Sequence, residues 1–260
     1  MGEAIIAKSR KYFSLYVCEK EETRQAYLKR RYKVNLGDMS EVIRRSQIIV
    51  VAVKPQDVET VFQQLSQRVG KNKLIISIAA GITLGYMEKV LGPDVHIIRT
   101  MPNMPALVGQ GITAIAPGRA ARKKDIDAAR RLLNLLGKTV VVEEKWLDAV
   151  TAVSGSGPAY VFLFIECLIK AAQELGLEES LAKELVMMTF RGSIHLLEKR
   201  KEEPGLLRAK VTSKGGTTQA AMDVFIEQHI DEIIAAAVKA ASQRAGELAD
   251  TILREVGDHV

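Results

Sequence analysis

Apolar positions fall into two regimes along the chain. In the first half they gather in short β-branched runs: "SLYVC" (14–18), "IIVVAV" (48–53), "LIISIA" (74–79), "VHIIRT" (95–100), "ITAIA" (112–116) and "TVVVEE" (139–144). Several are apolar at odd and even positions alike, which suits strands covered on both faces. Helical stretches lie between them at 21–31, 57–69 and 123–137, the last ending on Gly137 as a helix-terminating glycine. Strands alternating with helices predict a mostly parallel sheet with helices on both faces. "ITAIA" and "TVVVEE" are expected to extend that sheet.

From about Trp146 the pattern turns helical. The segments 158–176, 181–199 and 219–256 read as helices, and no convincing strand follows residue 146. The first of them is apolar almost all round until Lys170. Such a helix must be covered, here more fully than a single small domain allows. The pattern therefore predicts a subunit interface, most simply a two-fold homodimer.

Composition adds little to this picture. Hydrophobic residues make up 47% and charged residues 26%, an ordinary globular balance. No apolar run reads as long enough to span a bilayer, and the N-terminus lacks the apolar core of a signal peptide. Ile6 stands where a myristoylated Met-Gly start needs Ser or Thr. The expectation is a protein with no membrane partner. Cys18 and Cys167 are isolated, read as small buried residues, and point to a reducing compartment, the cytoplasm. The net charge of +6 comes with basic clusters at 29–33, 122–124, 130–131 and 198–201 that are short and mixed with acids. These read as solvated helix faces, so no nucleic-acid partner is expected. The excess positive charge can still steer an anionic cofactor or substrate.

Candidate chemistry sits at the strand ends and in two later stretches. "KPQ" (54–56), "AGIT" (80–83) and "MPNMP" (101–105) each follow a strand on the edge where open parallel sheets bind ligands. "SGSGPAY" (154–160) sets four tiny residues before Pro158 at a helix start. "VTSKGGTTQAAM" (211–222) is the sharpest. Gly215 and Gly216 let the backbone curl, Thr217 and Thr218 can cap a helix beginning near Gln219, and Ser213 adds a hydroxyl. Free N–H groups and the helix dipole there make a site for a carboxylate or phosphate. No histidine pair has metal-ligand spacing, so no metal is expected. No Ser-His-acid set suggests itself, and acid–base work falls to a hydroxyl or to water.

In this order, "MGEAII", "AVKPQ", "SIAAGIT", "RTMPNMPALVGQG", "VSGSGPAY" and "LLRAKVTSKGGTTQAAM" resemble the pyrroline-5-carboxylate reductase family over essentially the whole chain. The last two segments are the family-specific ones. The resemblance implies an α/β fold: a Rossmann-type dinucleotide-binding domain (1–146) and an all-α dimerisation and substrate-binding domain (147–260). It implies dimers often gathered into rings, and hydride transfer from NADPH, or NADH, to the C=N carbon of 1-pyrroline-5-carboxylate, giving L-proline. It places Ala52, Lys54, Pro55 and Asn103 along the cofactor groove and Gly2 in the phosphate loop. The substrate carboxylate falls on the N–H groups from Gly215 to Thr218 beside Ser213, and Thr218 bonds the ring nitrogen.

The family begins with a strand and a Gly-x-Gly-x-x-Gly loop, and Gly2 matches the last of those glycines. The strand and the earlier glycines stand outside this chain. That strand is central in the fold, so its neighbours are expected to lose hydrogen-bond partners and the pyrophosphate cradle to be weakened. After Cys18, Glu19 favours a free ribose hydroxyl whereas Lys20 favours a 2′-phosphate. Two other readings stay open. One is a related NAD(P)-dependent imine or hydroxyacid oxidoreductase; the other is a catalytically impaired, cofactor-blind helical dimer.

Overall fold

The computed structural model describes the backbone of residues 1–257 and the side chains of residues 1–54 and 56–251. The chain divides into two compact units, residues 1–156 with those from Ala240 on, and Gly157–Lys239.

The first unit opens with α1 (Gly2–Ser9), β1 (Tyr16–Val17), α2 (Glu22–Tyr32), β2 (Asn35–Leu36) and α3 (Met39–Arg45). It continues with β3 (Ile48–Val51), α4 (Val58–Ser66), β4 (Leu74–Ser77), α5 (Leu84–Leu91), β5 (His96–Pro102), β6 (Gly111–Pro117), α6 (Lys123–Leu133), β7 (Gly137–Val141) and α7 (Leu147–Val150). Among the described residues the strands form two separate ladders. β1 pairs with β2 in parallel, and β3-β4-β5-β6-β7 form a five-stranded sheet. The sheet is parallel from β3 to β5, antiparallel between β5 and β6, and parallel again between β6 and β7. β1 and β3 are thus both edge strands.

The unbroken apolar runs are explained by helices on both faces of the sheet. Ile75, Ile97 and Ala114 turn to one side, where they pack with Phe62, Leu65 and Met87. Their neighbours Ile76, Ile98 and Ile115 turn to the other, against Ala4, Ile5, Ala129 and Leu133. Successive side chains of a strand point to opposite faces, so a strand covered on both sides must be apolar throughout. Fully burying each of these isoleucines contributes roughly 1.5–3 kcal/mol.

Three local expectations are corrected here. Gly137 does not end the helix, because α6 stops at Leu133, a 3-10 turn spans Asn134–Leu136, and Gly137 starts β7. Cys18 and Cys167 are exposed rather than buried. The long helix foreseen over 219–256 is two helices, divided at His229, whose φ of 50° no continuing helix adopts.

The second unit is helical. α8 (Gly157–Glu174), α9 (Glu179–Arg200), α10 (Pro204–Lys210) and α11 (Thr217–Glu227) lead into α12 (Ile230–Gly257). α8 has no buried residue, and Val161, Phe162, Leu163, Phe164 and Leu168 are all exposed. The helical run Glu144–Glu174 is also long and apolar enough to cross a membrane, which the sequence reading had not foreseen.

Candidate active site

At the N-terminus of α1, Gly2 lies against the loop that follows β3. A side chain there would meet the Ala52 Cβ at 3.2 Å, so glycine permits this approach. Ala52 and Lys54 are exposed beyond the end of β3, and Pro55 opens a 3-10 turn, Pro55–Asp57. The Pro55 side chain lies outside the described residues. Lys20 extends from the end of β1 to Asp57, at 2.7 Å.

Asn103 follows β5 and both ends of its amide are engaged. Its Nδ2 donates to the Ser154 carbonyl at 3.2 Å, and its Oδ1 accepts from the Ile112 N–H at 2.9 Å. Ser154 lies in a one-turn π-helix, Thr151–Gly155, a distortion that recurs at functional sites. A Cβ on Gly155 would meet the Met101 Cε at 2.6 Å, so the tip of that side chain would have to move aside. The sequence thus flagged "MPNMP" and "SGSGPAY" separately, and the fold ties Asn103 of the first to Ser154, the first residue of the second, inside the first unit.

Glu3, in the first turn of α1, is a centre that sequence reasoning missed. Tyr32 and Tyr27 donate to its Oε1 at 2.7 and 2.9 Å, and Arg24 pairs with its other oxygen. The Tyr32 hydrogen bond leads in lowering its pKa to about 2, with Tyr27 and Arg24 helping and desolvation opposing. Its partners stand more than twenty residues away with no motif linking them.

Cavities open on the first unit at the strand ends. One of about 780 Å³ lies past the ends of β1 and β2, lined by Cys18, Glu19, Asp38, Met39 and Arg68 among others. Another, of about 530 Å³, lies beyond β4 and β5, with Ala79, Gly81, Arg99, Thr100 and Asp148 in its wall. Arg99 is held at 2.8 Å by Glu144, whose carboxylate also accepts the Leu84 N–H.

In the second unit, the stretch Ser213–Thr218 makes a tight turn into α11. Gly215 takes a φ of 72°, in the left-handed region that suits glycine. Gly216 is the N-cap and no side chain caps the helix, so Thr217 and Thr218 are the first helical residues rather than caps. A Cβ on Gly216 would run into Ser213 Oγ. The turn closes through Gly216 N–H to the Ser213 carbonyl, and the first intrahelical bond is Ala220 N–H to Gly216. Among the described residues the N–H groups of Thr217, Thr218 and Gln219 find no acceptor. Unsatisfied donors at the positive end of a helix attract an anion. Residues 213–218 and the strand-edge residues (2, 20, 52–55, 103) belong to different compact units. No group of three or more metal-binding side chains occurs among the described residues.

A family model for pyrroline-5-carboxylate reductase dimerisation matches residues 144–248, and one for NADP oxidoreductases, coenzyme F420-dependent, matches residues 1–81. A pyrroline-5-carboxylate reductase of Synechocystis is 39% identical over 255 residues, covering 95% of this chain and 94% of that protein. The chain belongs to the pyrroline-5-carboxylate reductase family. The Coxiella burnetii member superposes with a TM-score of 0.88 at 30% identity, covering 95% of this chain and 94% of that one. The Plasmodium falciparum pyrroline carboxylate reductase, solved with NADP bound, gives 0.85 at 30% identity over 96% of this chain and 94% of its own. The reductase-family fold, a nucleotide-binding sheet followed by a helical dimerisation region, is the fold of this chain, and the chain forms oligomers. The dimerisation match covers α8, the helix whose apolar residues are exposed.

Proposed function

We propose that this chain reduces 1-pyrroline-5-carboxylate to L-proline, with NADPH as hydride donor and NADH as an alternative. The observation that carries this reading is the turn into α11. Its three unpartnered N–H groups, beside the Ser213 and Thr218 hydroxyls, suit a small substrate with one carboxylate and one ring nitrogen. The N–H groups of Thr217 and Thr218 hold the carboxylate, Ser213 and the glycines shape the turn around it, and Thr218 Oγ1 orients the ring nitrogen. A threonine hydroxyl is a weak acid, so its role is orientation of an already protonated iminium. Gly2, Lys20, Ala52, Lys54, Pro55 and Asn103 line the dinucleotide groove, where the bound nicotinamide supplies the hydride. Functionally the chain divides near residue 146, close to where the dimerisation match begins at residue 144, into a dinucleotide-binding region (1–146) and a dimerisation and substrate-binding region (147–260). The enzyme acts as a soluble cytoplasmic homodimer, with dimers able to gather into a ring.

The test is oxidation of the reduced dinucleotide by the purified chain on addition of 1-pyrroline-5-carboxylate, with cyclic imines lacking the carboxylate as controls. Turnover that ignores the carboxylate overturns the assignment. One observation favours a second reading. The separation of β1-β2 from the five-stranded sheet suits a cofactor-blind dimer, for which the same assay gives an intact oligomer and no dinucleotide binding.

A further inference from the structure

The segment that leads from β7 into the π-turn is fastened to β5 and its exit at two points. At the first, Glu144 Oε1 accepts from Arg99 Nη1 at 2.8 Å, across forty-five residues of chain. The same oxygen accepts the Leu84 N–H at 2.6 Å, so one carboxylate joins β5 to the N-terminus of α5. At the second, the Ser154 carbonyl accepts from Asn103 Nδ2 at 3.2 Å. In an α-helix the N–H of residue 158 would serve that carbonyl, but residue 158 is proline and has none. Between the two fastenings the segment closes on itself. Thr151 Oγ1 donates to the Leu147 carbonyl at 2.7 Å, and Ser154 Oγ to the Val150 carbonyl at 3.1 Å. Its Leu147 and Ala152 are buried.

This strap, residues 144–154, forms part of the wall of the cavity beyond β4 and β5. Leu147, Asp148 and Thr151 come from the strap, and Thr100 and Met101 from β5. Only 9% of the Arg99 side chain is exposed, against 31% for Glu144. A guanidinium so deeply placed is costly without its counter-charge, so the pair resists opening. Asn103 directly follows β5. The pair that fixes where the strap meets β5 therefore also fixes the carbonyl that the Asn103 amide grips.

Resting on the dinucleotide site proposed above, we infer that Arg99 is a positioning residue of this reductase. Through Glu144 it holds the strap on β5, and the strap in turn sets the Asn103 amide and shapes the cavity wall. Hydride transfer tolerates little misplacement, since a shift of about 1 Å can cost about a hundredfold in rate. Loss of the pair is expected to lower turnover while sparing the grip on the phosphate end of the dinucleotide, which falls to Gly2 and Lys20.

The experiment compares the full chain with Arg99→Met, which keeps the length and loses the charge, and Glu144→Gln, which keeps an acceptor for the Leu84 N–H. Hydrogen exchange of the free protein over residues 144–154 reports on the strap. Calorimetry with 2′,5′-ADP reports on the phosphate end, and imine-dependent oxidation of NADPH gives kcat and KM. In both variants strap exchange is expected to accelerate by about tenfold, with 2′,5′-ADP affinity within about threefold of the unaltered chain. kcat is expected to fall by about tenfold or more in each, and the double variant to be no worse than either. Arg99→Lys keeps the charge and should recover part of kcat. Unchanged strap exchange or unchanged kcat in Glu144→Gln overturns the inference. So does loss of turnover in Arg99→Met alone, which would make Arg99 a direct ligand contact. A parallel loss of melting temperature, 2′,5′-ADP binding and turnover overturns it too, as the mark of a general stabilising role. In all these cases the dinucleotide site itself stands. Failure of the unaltered chain to bind NADPH and 2′,5′-ADP overturns the dinucleotide reading and this inference together.

Discussion

Asn103 donates to the carbonyl of Ser154, fifty-one residues later in the chain, at 3.2 Å. The same side chain accepts the Ile112 N–H at the start of β6, so one amide braces a strand end, a neighbouring strand and the π-turn. Asn103→Ala leaves the Ile112 donor without its partner, and a loss of about 1–3 kcal/mol is expected in urea unfolding. Asn103→Asp keeps the acceptor and loses the donor, so it should recover much of that stability. If both variants unfold like the unaltered chain, the brace carries no load.

Gly137 meets Gly111 where β6 and β7 begin. A Cβ on Gly137, whose φ is 141°, would overlap the Gly111 carbonyl oxygen. Because that obstacle is backbone in a paired ladder, Gly137→Ala must shift the register or part the strands. A cost of more than about 3 kcal/mol is expected, read as a large fall in melting temperature or loss of soluble protein.

Glu3 predicts the acid limb of stability. Its carboxylate is held to a pKa of about 2 from an ordinary 4.5 by Tyr32, Tyr27 and Arg24. A group whose pKa is depressed by folding stabilises the fold fully above its unfolded value, and that contribution fades as pH falls through the folded one. The loss should therefore run between about pH 4.5 and 2. Glu3→Gln should melt lower at neutral pH and lose that dependence. Parallel melting curves for the two proteins across this window would exclude the cluster as the source.

Thr218→Ala is expected to lower kcat by about tenfold to a hundredfold with a smaller change in KM, because a misoriented ring is bound but not reduced. Thr218→Ser keeps the hydroxyl and should retain most of the activity. Unchanged turnover in the alanine variant would remove Thr218 from the mechanism. These rates are read in the imine-dependent oxidation of the reduced dinucleotide.

What the sequence disclosed follows from how local each signal is. "LIISIA" announced a strand covered on both faces because Ile75 and Ile76 are both apolar, and they enter opposite cores. β2 and α3 escaped notice because two residues and seven residues are too short for a period to register. The break at His229 carries neither glycine nor proline, so nothing local marked it. In the candidate site, "GGTT" was legible as a turn into a helix because glycines and hydroxyl residues are what such a turn requires. The helix start was misjudged by two residues, since Gly216 serves as cap where threonines were expected. The Glu3 cluster and the Asn103 brace were invisible because their partners meet only in the folded chain.

The exposed face of α8 bears on how this protein comes into being. A single chain that leaves Phe162, Leu163 and Leu168 in water is an unfinished object, adhesive until it meets its own kind. Anything that binds only the folded form stabilises it by mass action, and on the homodimer reading proposed above the binder is another copy. Its melting temperature should rise with its own concentration, and a newly made chain passes through a sparse, sticky interval before it finds a mate.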